Sequence, residues 1–442
     1  MIKDFVLDTS ILLHSPYAMI SGFDDNNIIL TGTTLQELDK KKIAEGEAGY
    51  NARESIRILD SLREKGNLVK GVATENGGKL FVVPEGVDQK LLPNGFNISV
   101  PDNQILSTCL WLNKIKHRNI ILVTNDVSMR VNASILGLRV EVYKNEQVES
   151  TEYTGHSFLN VSQKEIDYIY KNNKMDVGDQ FIENEFVTLK NGKQTALSIH
   201  KAGVLYRIKE QRSFCNVKPL NLMQSYALYA LRAPASEIPL VILSGMAGTA
   251  KTFLSLAAGM EFTKTSTNKD ARYTKIFLSR PNGIGFSNIG FLPGNLEDKL
   301  SPLMASYYDN MEILLSLDGK LSRTEIQTKI DEYLEDGVVE LCSLDFIRGR
   351  SLQYTYIICD EAQNASRGLI RDVVTRVGKG SKCIIAGDPN QIDVPSLDER
   401  TNGLVYCGAS MQNSPLACLV TFDAEYSVRS PLSKDALERM KF

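Results

Sequence analysis

The stretch IPLVILSGMAGTAKTFLSLAAGMEF, residues 238–262, constrains the fold more than any other. Its first part, Ile238–Ser244, is a short apolar run of the kind buried on both faces of a sheet. A glycine-bearing loop follows, and KTFLSLAAGMEF then reads as a helix. Three later runs, TKIFLSR, YTYIICDE and SKCIIAGD, are also apolar and also end on a polar residue or a glycine. Apolar strands alternating with helices predict an open, parallel α/β sheet. Such sheets bind ligands at the carboxyl ends of their strands. Here those ends carry Gly245, Arg280, Asp360–Glu361 and Asp388.

The loop itself, GMAGTAKT, fits the phosphate-binding pattern G-x-x-x-x-G-K-[S/T] except at Ala250. Strand, loop and helix are the context this motif needs. The backbone of Gly245, Met246, Ala247, Gly248, Thr249 and Ala250, with the helix N-terminus, would surround the β-phosphate of ATP. Lys251 would reach the β- and γ-phosphates, and the Thr252 hydroxyl would ligate Mg²⁺. Alanine at 250 matters only if the position needs φ > 0 or leaves no room for a methyl. Because it borders the helix start, where alanine is favourable, it is expected to be tolerated. In YIICDEAQN, Asp360 would hold Mg²⁺ and Glu361 would polarise the attacking water. Asp360 lies 108 positions after Thr252, leaving room for intervening strands. CIIAGDPNQID resembles motif III of superfamily-one helicases, which makes Gln391 a γ-phosphate sensor. NVKPLNLMQSYAL resembles the adenine-reading glutamine motif, with Gln224 as the reader.

Residues 1–148 show a second alternating pattern. DFVLDTSIL, NNIILTGTT and NIILVTND read as buried parallel strands, and AGYNARESIRILDSLREK has helical spacing. Asp8 and Asp126 end strands, Glu37 lies in TTLQELDK, and Asp102 opens DNQILSTCL. All four could converge at the top of one sheet. Clustered carboxylates repel and are costly without cations. An all-oxygen set selects Mg²⁺ or Mn²⁺ over zinc, and such ions can promote phosphodiester hydrolysis. Any one of these acids alone is better read as a cap or a solvated loop end; the set is not. Between the two alternating regions, EFVTLKNGKQTALSI flanks Asn191-Gly192, a strong hairpin signal, so residues 149–215 are expected to form a β-rich connector.

Composition narrows the setting. The 442 residues allow two or three domains at roughly 150 each. The net charge of −3 means that a polyanion partner must be met by local basic patches. None of the seven cysteines forms a C-x-x-C pair, and there are only four histidines. A zinc centre, a disulfide framework or histidine-driven RNA cleavage has little material. No apolar run approaches the ~18 residues of a membrane span, and the N-terminus lacks a signal-peptide pattern. A soluble cytoplasmic protein without a membrane partner is expected.

Residues 216–442 resemble the PhoH-like ATPase family. The resemblance rests on SRPNGIGFSNIGFLPGNLEDKL (279–300), FIRGRSLQ (346–353), DEAQN (360–364) and GDPNQID (387–393). Arg280, Arg348, Arg350 and Arg429 match family arginines, as γ-phosphate or nucleic-acid contacts or as structural salt bridges. After Gln-Ile-Asp the family usually continues with a proline, an arginine, a glycine and a serine-glycine pair, whereas this chain reads VPSLDERTNGL. The spacing D-T-S, E-L-D, D-x-x-I-L and T-N-D-x-x-x-R resembles a PIN-domain nuclease. It adds Ser10, Asn125 and Arg130 as supporting or substrate-contact candidates. Nearly the whole chain is similar to the fusion of a PIN domain (1–148), a connector (149–215) and a PhoH-like P-loop ATPase of RecA-like fold (216–442). That resemblance implies ATPase, RNA helicase and ribonuclease activity, in a homo-oligomeric ring with a hexamer as a candidate. In a ring, Arg429 or Arg348 could complete a neighbour's ATP site. Two other readings stand beside it: a nucleotide-gated nucleic-acid-binding protein with a non-cleaving PIN domain, and the same enzyme acting on DNA.

Overall fold

The computed structural model describes residues 2–23, 25–44, 46–74, 77–143, 153–209, 213, 215–263, 271–281, 296–347, 351–394 and 397–423, together with 432, 435 and 439. It divides into two compact units, Met1–Gln147 and Val148–Phe442.

The first unit is built on six strands. They are β1 (Asp4–Leu7), β2 (Asn27–Thr31), β3 (Val72–Ala73), β4 (Lys79–Val83), β5 (Ile120–Val123) and β6 (Arg139–Glu141). Their order is β3-β4-β2-β1-β5-β6, parallel except for the short β3–β4 pair. Alternate residues of each strand feed opposite cores: Phe5 and Leu7 pack on one face, Val6 on the other. A sheet covered on both faces needs apolar residues at every central position, which is why β1 and β5 read as unbroken apolar runs. The strands β1 and β5, which lead into Asp8 and Asp126, are hydrogen-bonded neighbours from Asp4↔Ile120 to Leu7↔Val123. Their carboxyl ends therefore meet.

The second unit opens with a five-stranded sheet. It contains β7 (His156–Asn160), β8 (Lys174–Asp176), β9 (Phe186–Asn191), β10 (Gln194–Lys201) and β11 (Val204–Arg207), in the order β7-β9-β10-β11-β8. The β9–β10 hairpin turns at Asn191-Gly192, with Gly192 at φ +58. This sheet packs directly against the C-terminal part of the same unit. Phe186 stacks on Tyr226 with ring centroids 4.4 Å apart, and Asn184 Nδ2 donates to the Ser414 and Ala417 carbonyls.

The larger sheet contains β12 (Leu240–Gly245), β13 (Lys275–Arg280), β14 (Val339–Ser343), β15 (Thr355–Cys359), β16 (Lys382–Gly387) and β17 (Ala417–Phe422). It is parallel throughout, in the order β14-β13-β15-β16-β12-β17. Helices Leu222–Arg232 and Lys251–Phe262 pack on one face, and Arg367–Val374 and Gly403–Ser410 on the other. Strand β16 lies between β12 and β15, so the residue leaving it, Asp388, emerges between the glycine loop and Asp360. Among the described residues, no helix is long and apolar enough to cross a membrane.

Candidate active sites

In the first unit, Asp8 follows β1 and caps the helix Thr9–His14. It is 5% exposed. Its carboxylate accepts from the Thr9 amide at 2.6 Å, from the Ser10 hydroxyl and from Thr124 Oγ1 at 2.7 Å. Thr124 directly follows β5, so the strand pairing brings this donor to Asp8. Glu37, on helix Gly32–Lys41, accepts from Thr9 Oγ1 at 2.5 Å. Thr33 on the same helix bonds Gln104 on helix Pro101–Lys114, whose first turn carries Asp102. Asp126 follows β5 and caps helix Val127–Ile135. Arg130 donates to the carbonyls of Thr124 and Asn125 and so braces the turn that presents Asp126.

The four acids share one field. Burial first, then the charges of Asp8, Glu37 and Asp126, push the Asp102 carboxyl above its usual range. Asn125 Oδ1, between Thr124 and Asp126 in sequence, is a buried acceptor with no hydrogen-bond partner. Among the described residues no group of three or more His, Cys, Asp or Glu side chains is already gathered as a ligand set. The donor chemistry, which is all oxygen with an orphaned amide oxygen and repelling carboxylates, fits a hard divalent cation.

In the second unit the glycine loop leaves β12 at Gly245, φ +128. A Cβ there would collide with the Phe422 carbonyl of β17, so glycine is required by close approach. Lys251 is buried and donates to the carbonyls of Gly245 (2.6 Å) and Met246 (2.9 Å) and to Thr249 Oγ1 (3.4 Å). The Thr252 hydroxyl meets both oxygens of Asp360, at 2.9 and 3.0 Å. Arg280, at the end of β13, pairs with Asp360 at 3.0 Å and with Glu361 at 3.8 Å, and lies over the Tyr307 ring. Burial and the Asp360 charge push the Glu361 carboxyl above its usual range, while Gln363, Arg280 and Lys251 pull it back.

Ala250 corrects the sequence reading. It caps the helix at φ 70, ψ 24, in the left-handed region. Position 250 does need φ > 0, so its alanine is strained rather than favourable. That conformation costs a non-glycine residue roughly 1–2 kcal/mol, partly offset by packing of the methyl on the core. Ala250→Gly should therefore stabilise the protein by on the order of 0.5 kcal/mol and leave nucleotide binding intact. Thermal melting tests this, and a lower melting temperature would contradict it.

Gln224 is 2% exposed. Its Oε1 accepts from the Leu220 amide at 2.8 Å and its Nε2 donates to the Thr249 carbonyl at 3.4 Å, so it braces the glycine loop. Gln391 is exposed, and its carbonyl accepts from Gln363 Nε2 at 2.9 Å. Arg348, Arg350 and Arg429 lie outside the described residues, as does most of the 279–300 motif. Sequence reasoning did not single out Thr124, Gln363 or the role of Asp388. The signal for Gln363 was present in DEAQN, but its partners are set by the strand order.

A family model described as PhoH-like protein matches residues 216–441, and one described as a PIN domain matches residues 5–144. Protein PhoH2 of Bacillus subtilis (strain 168) is 35% identical over 434 residues, covering 94% of this chain and 95% of its own length. The protein of the same name from Thermobispora bispora is 29% identical, covering 99% of this chain and 97% of its own. That from Mycolicibacterium smegmatis is 28% identical, covering 100% and 97%.

Proposed function

The chain belongs to the PhoH-like family and carries a PIN domain ahead of its PhoH-like region, and on that premise we propose that it is an ATP-dependent RNA helicase or translocase coupled to a metal-dependent endoribonuclease. The observation that carries the motor half is the meeting of Thr252 with Asp360, with Glu361 next in the chain and Lys251 beside the loop. Thr252 and Asp360 are the pair that would hold Mg²⁺, whose charge would stabilise the transferred phosphoryl group. Lys251 exchanges its loop carbonyls for the β- and γ-phosphates. Glu361 orients the attacking water and accepts its proton, and Arg280 pairs with both acids and screens their repulsion.

In the PIN domain, Asp8, Glu37, Asp102 and Asp126 would bind Mg²⁺ or Mn²⁺, which supplies an activated water and a counter-charge for the leaving oxygen. Thr9, Ser10 and Thr124 orient the carboxylates, and Arg130 braces the turn carrying Asp126. We place the boundaries at 1–148, 149–215 and 216–442. The working form is a ring, with Arg348 or Arg429 reaching a neighbour's nucleotide, in the cytoplasm.

The loop assignment is tested by Lys251→Ala. The unmutated protein should hydrolyse ATP with Mg²⁺, and the variant should lose most of that activity, since Lys251 is the charge that the loop itself brings to the phosphates. Equal rates in a steady-state phosphate-release assay would sink the assignment.

A further inference from the structure

Gln363 is fully buried in the turn Ala362–Asn364, two residues beyond Glu361. Both ends of its amide are used. Nε2 donates to Glu361 Oε2 at 2.7 Å and to the Gln391 carbonyl at 2.9 Å, while Oε1 accepts from the Asp388 amide at 3.1 Å. Asp388, 4% exposed, passes the contact on: its Oδ2 accepts from the Ala247 amide of the glycine loop at 2.8 Å, and its Oδ1 from the Asn390 amide at 3.0 Å. A continuous chain of hydrogen bonds thus joins the phosphate loop to the Glu361 carboxylate. Two further features fit. A Cβ on Gly387 would collide with Gln363 Oε1, so the strand end is shaped around this glutamine. Glu361 itself sits at φ 55, a conformation that persists in a non-glycine residue only where its surroundings fix it.

We propose that Gln363 is a positioning residue for ATP hydrolysis, aiming the Glu361 carboxylate and linking it through Asp388 to the glycine loop. This rests on the ATPase reading above. A glutamine suits the task because one neutral group must donate to a carboxylate and a carbonyl while accepting from an amide. Asp388 answers from the loop, so a phosphate-induced shift at Ala247 is transmitted to the base.

The test is steady-state ATP hydrolysis and thermal melting of the full chain for the unmutated protein, Gln363→Ala and Gln363→Glu. Alanine would leave the buried Asp388 amide unbonded and could unfold the chain, so the near-isosteric glutamate is the decisive variant. It can still accept from Asp388 but sets a carboxylate against Glu361. Its kcat should fall about tenfold or more, the scale of a misplaced catalytic group, with KM for ATP within about twofold. A purely structural role would lower the melting temperature, raise KM for ATP and lower kcat together, which would overturn the proposal. So would a kcat matching the unmutated protein. Absence of ATP hydrolysis in the unmutated protein would instead sink the ATPase reading beneath it.

Discussion

Glu361→Gln should bind ATP with near-normal affinity and hydrolyse it at least ~100-fold more slowly, the scale of losing a general base. The change keeps the size of the side chain. It leaves in place the Thr252–Asp360 contact, the Lys251 bond to the Gly245 carbonyl and the Arg280–Asp360 pair. Among the described contacts, the longer Arg280–Glu361 pair at 3.8 Å loses its charge, and the 2.7 Å bond from Gln363 Nε2 passes from a carboxylate to an amide oxygen. Strand separation should stop, while ATP-dependent RNA binding persists or strengthens. Nucleotide binding by fluorescence and duplex unwinding by gel separate the possibilities. Undiminished unwinding by the variant would refute the role of Glu361. Unwinding by neither protein, with RNA binding that follows nucleotide occupancy, would favour a nucleotide-gated binding protein over a motor.

Asp8→Asn should abolish RNA cutting and leave ATP hydrolysis largely intact, because the two sites lie in separate compact units. Asp8 accepts from the Thr9 amide on one oxygen and from the Ser10 and Thr124 hydroxyls on the other, so an asparagine can keep its Oδ1 on the amide and turn its NH₂ to the hydroxyls, which rotate to accept. Charge-assisted bonds become neutral ones, at a stability cost on the order of 1 kcal/mol. A melting curve must therefore accompany the assay. Digestion of matched RNA and DNA oligonucleotides with Mg²⁺ or Mn²⁺ reads the loss and also reports the substrate. Cutting at the normal rate by a folded variant would make the acids structural.

The central strands were legible in the sequence because a strand covered on both faces is apolar throughout. Strands β1, β2 and β5 and strands β12, β13, β15 and β16 all carry such runs. The strands missed in the two parallel sheets lie at or near the edges. Strand β14 reads VELCS, with polar residues at alternate places, β17 has half-buried positions, and β3 and β6 are two and three residues long. The loop and Asp360–Glu361 were legible because they leave strand ends; of the four acids, Asp8 and Asp126 follow strands, Asp102 lies in the first turn of a helix and Glu37 lies in the middle of one. Ala250 was misjudged because a dihedral angle is not written in composition: alanine favours helices, and here the helix begins one residue later. Gln363 and Asp388 were missed as a pair because their contact depends on β16 lying between β12 and β15, a matter of strand order that local patterns do not carry.

The coupling of motor and nuclease is tested most directly with a fully base-paired RNA that has one short single-stranded tail, incubated with Mg²⁺ and assayed for cut products. With ATP, the unmutated protein should cut within the paired region, whereas without ATP, or in the Glu361→Gln variant, cutting should be confined to the tail. Equal cutting of the paired region with and without ATP would contradict the coupling.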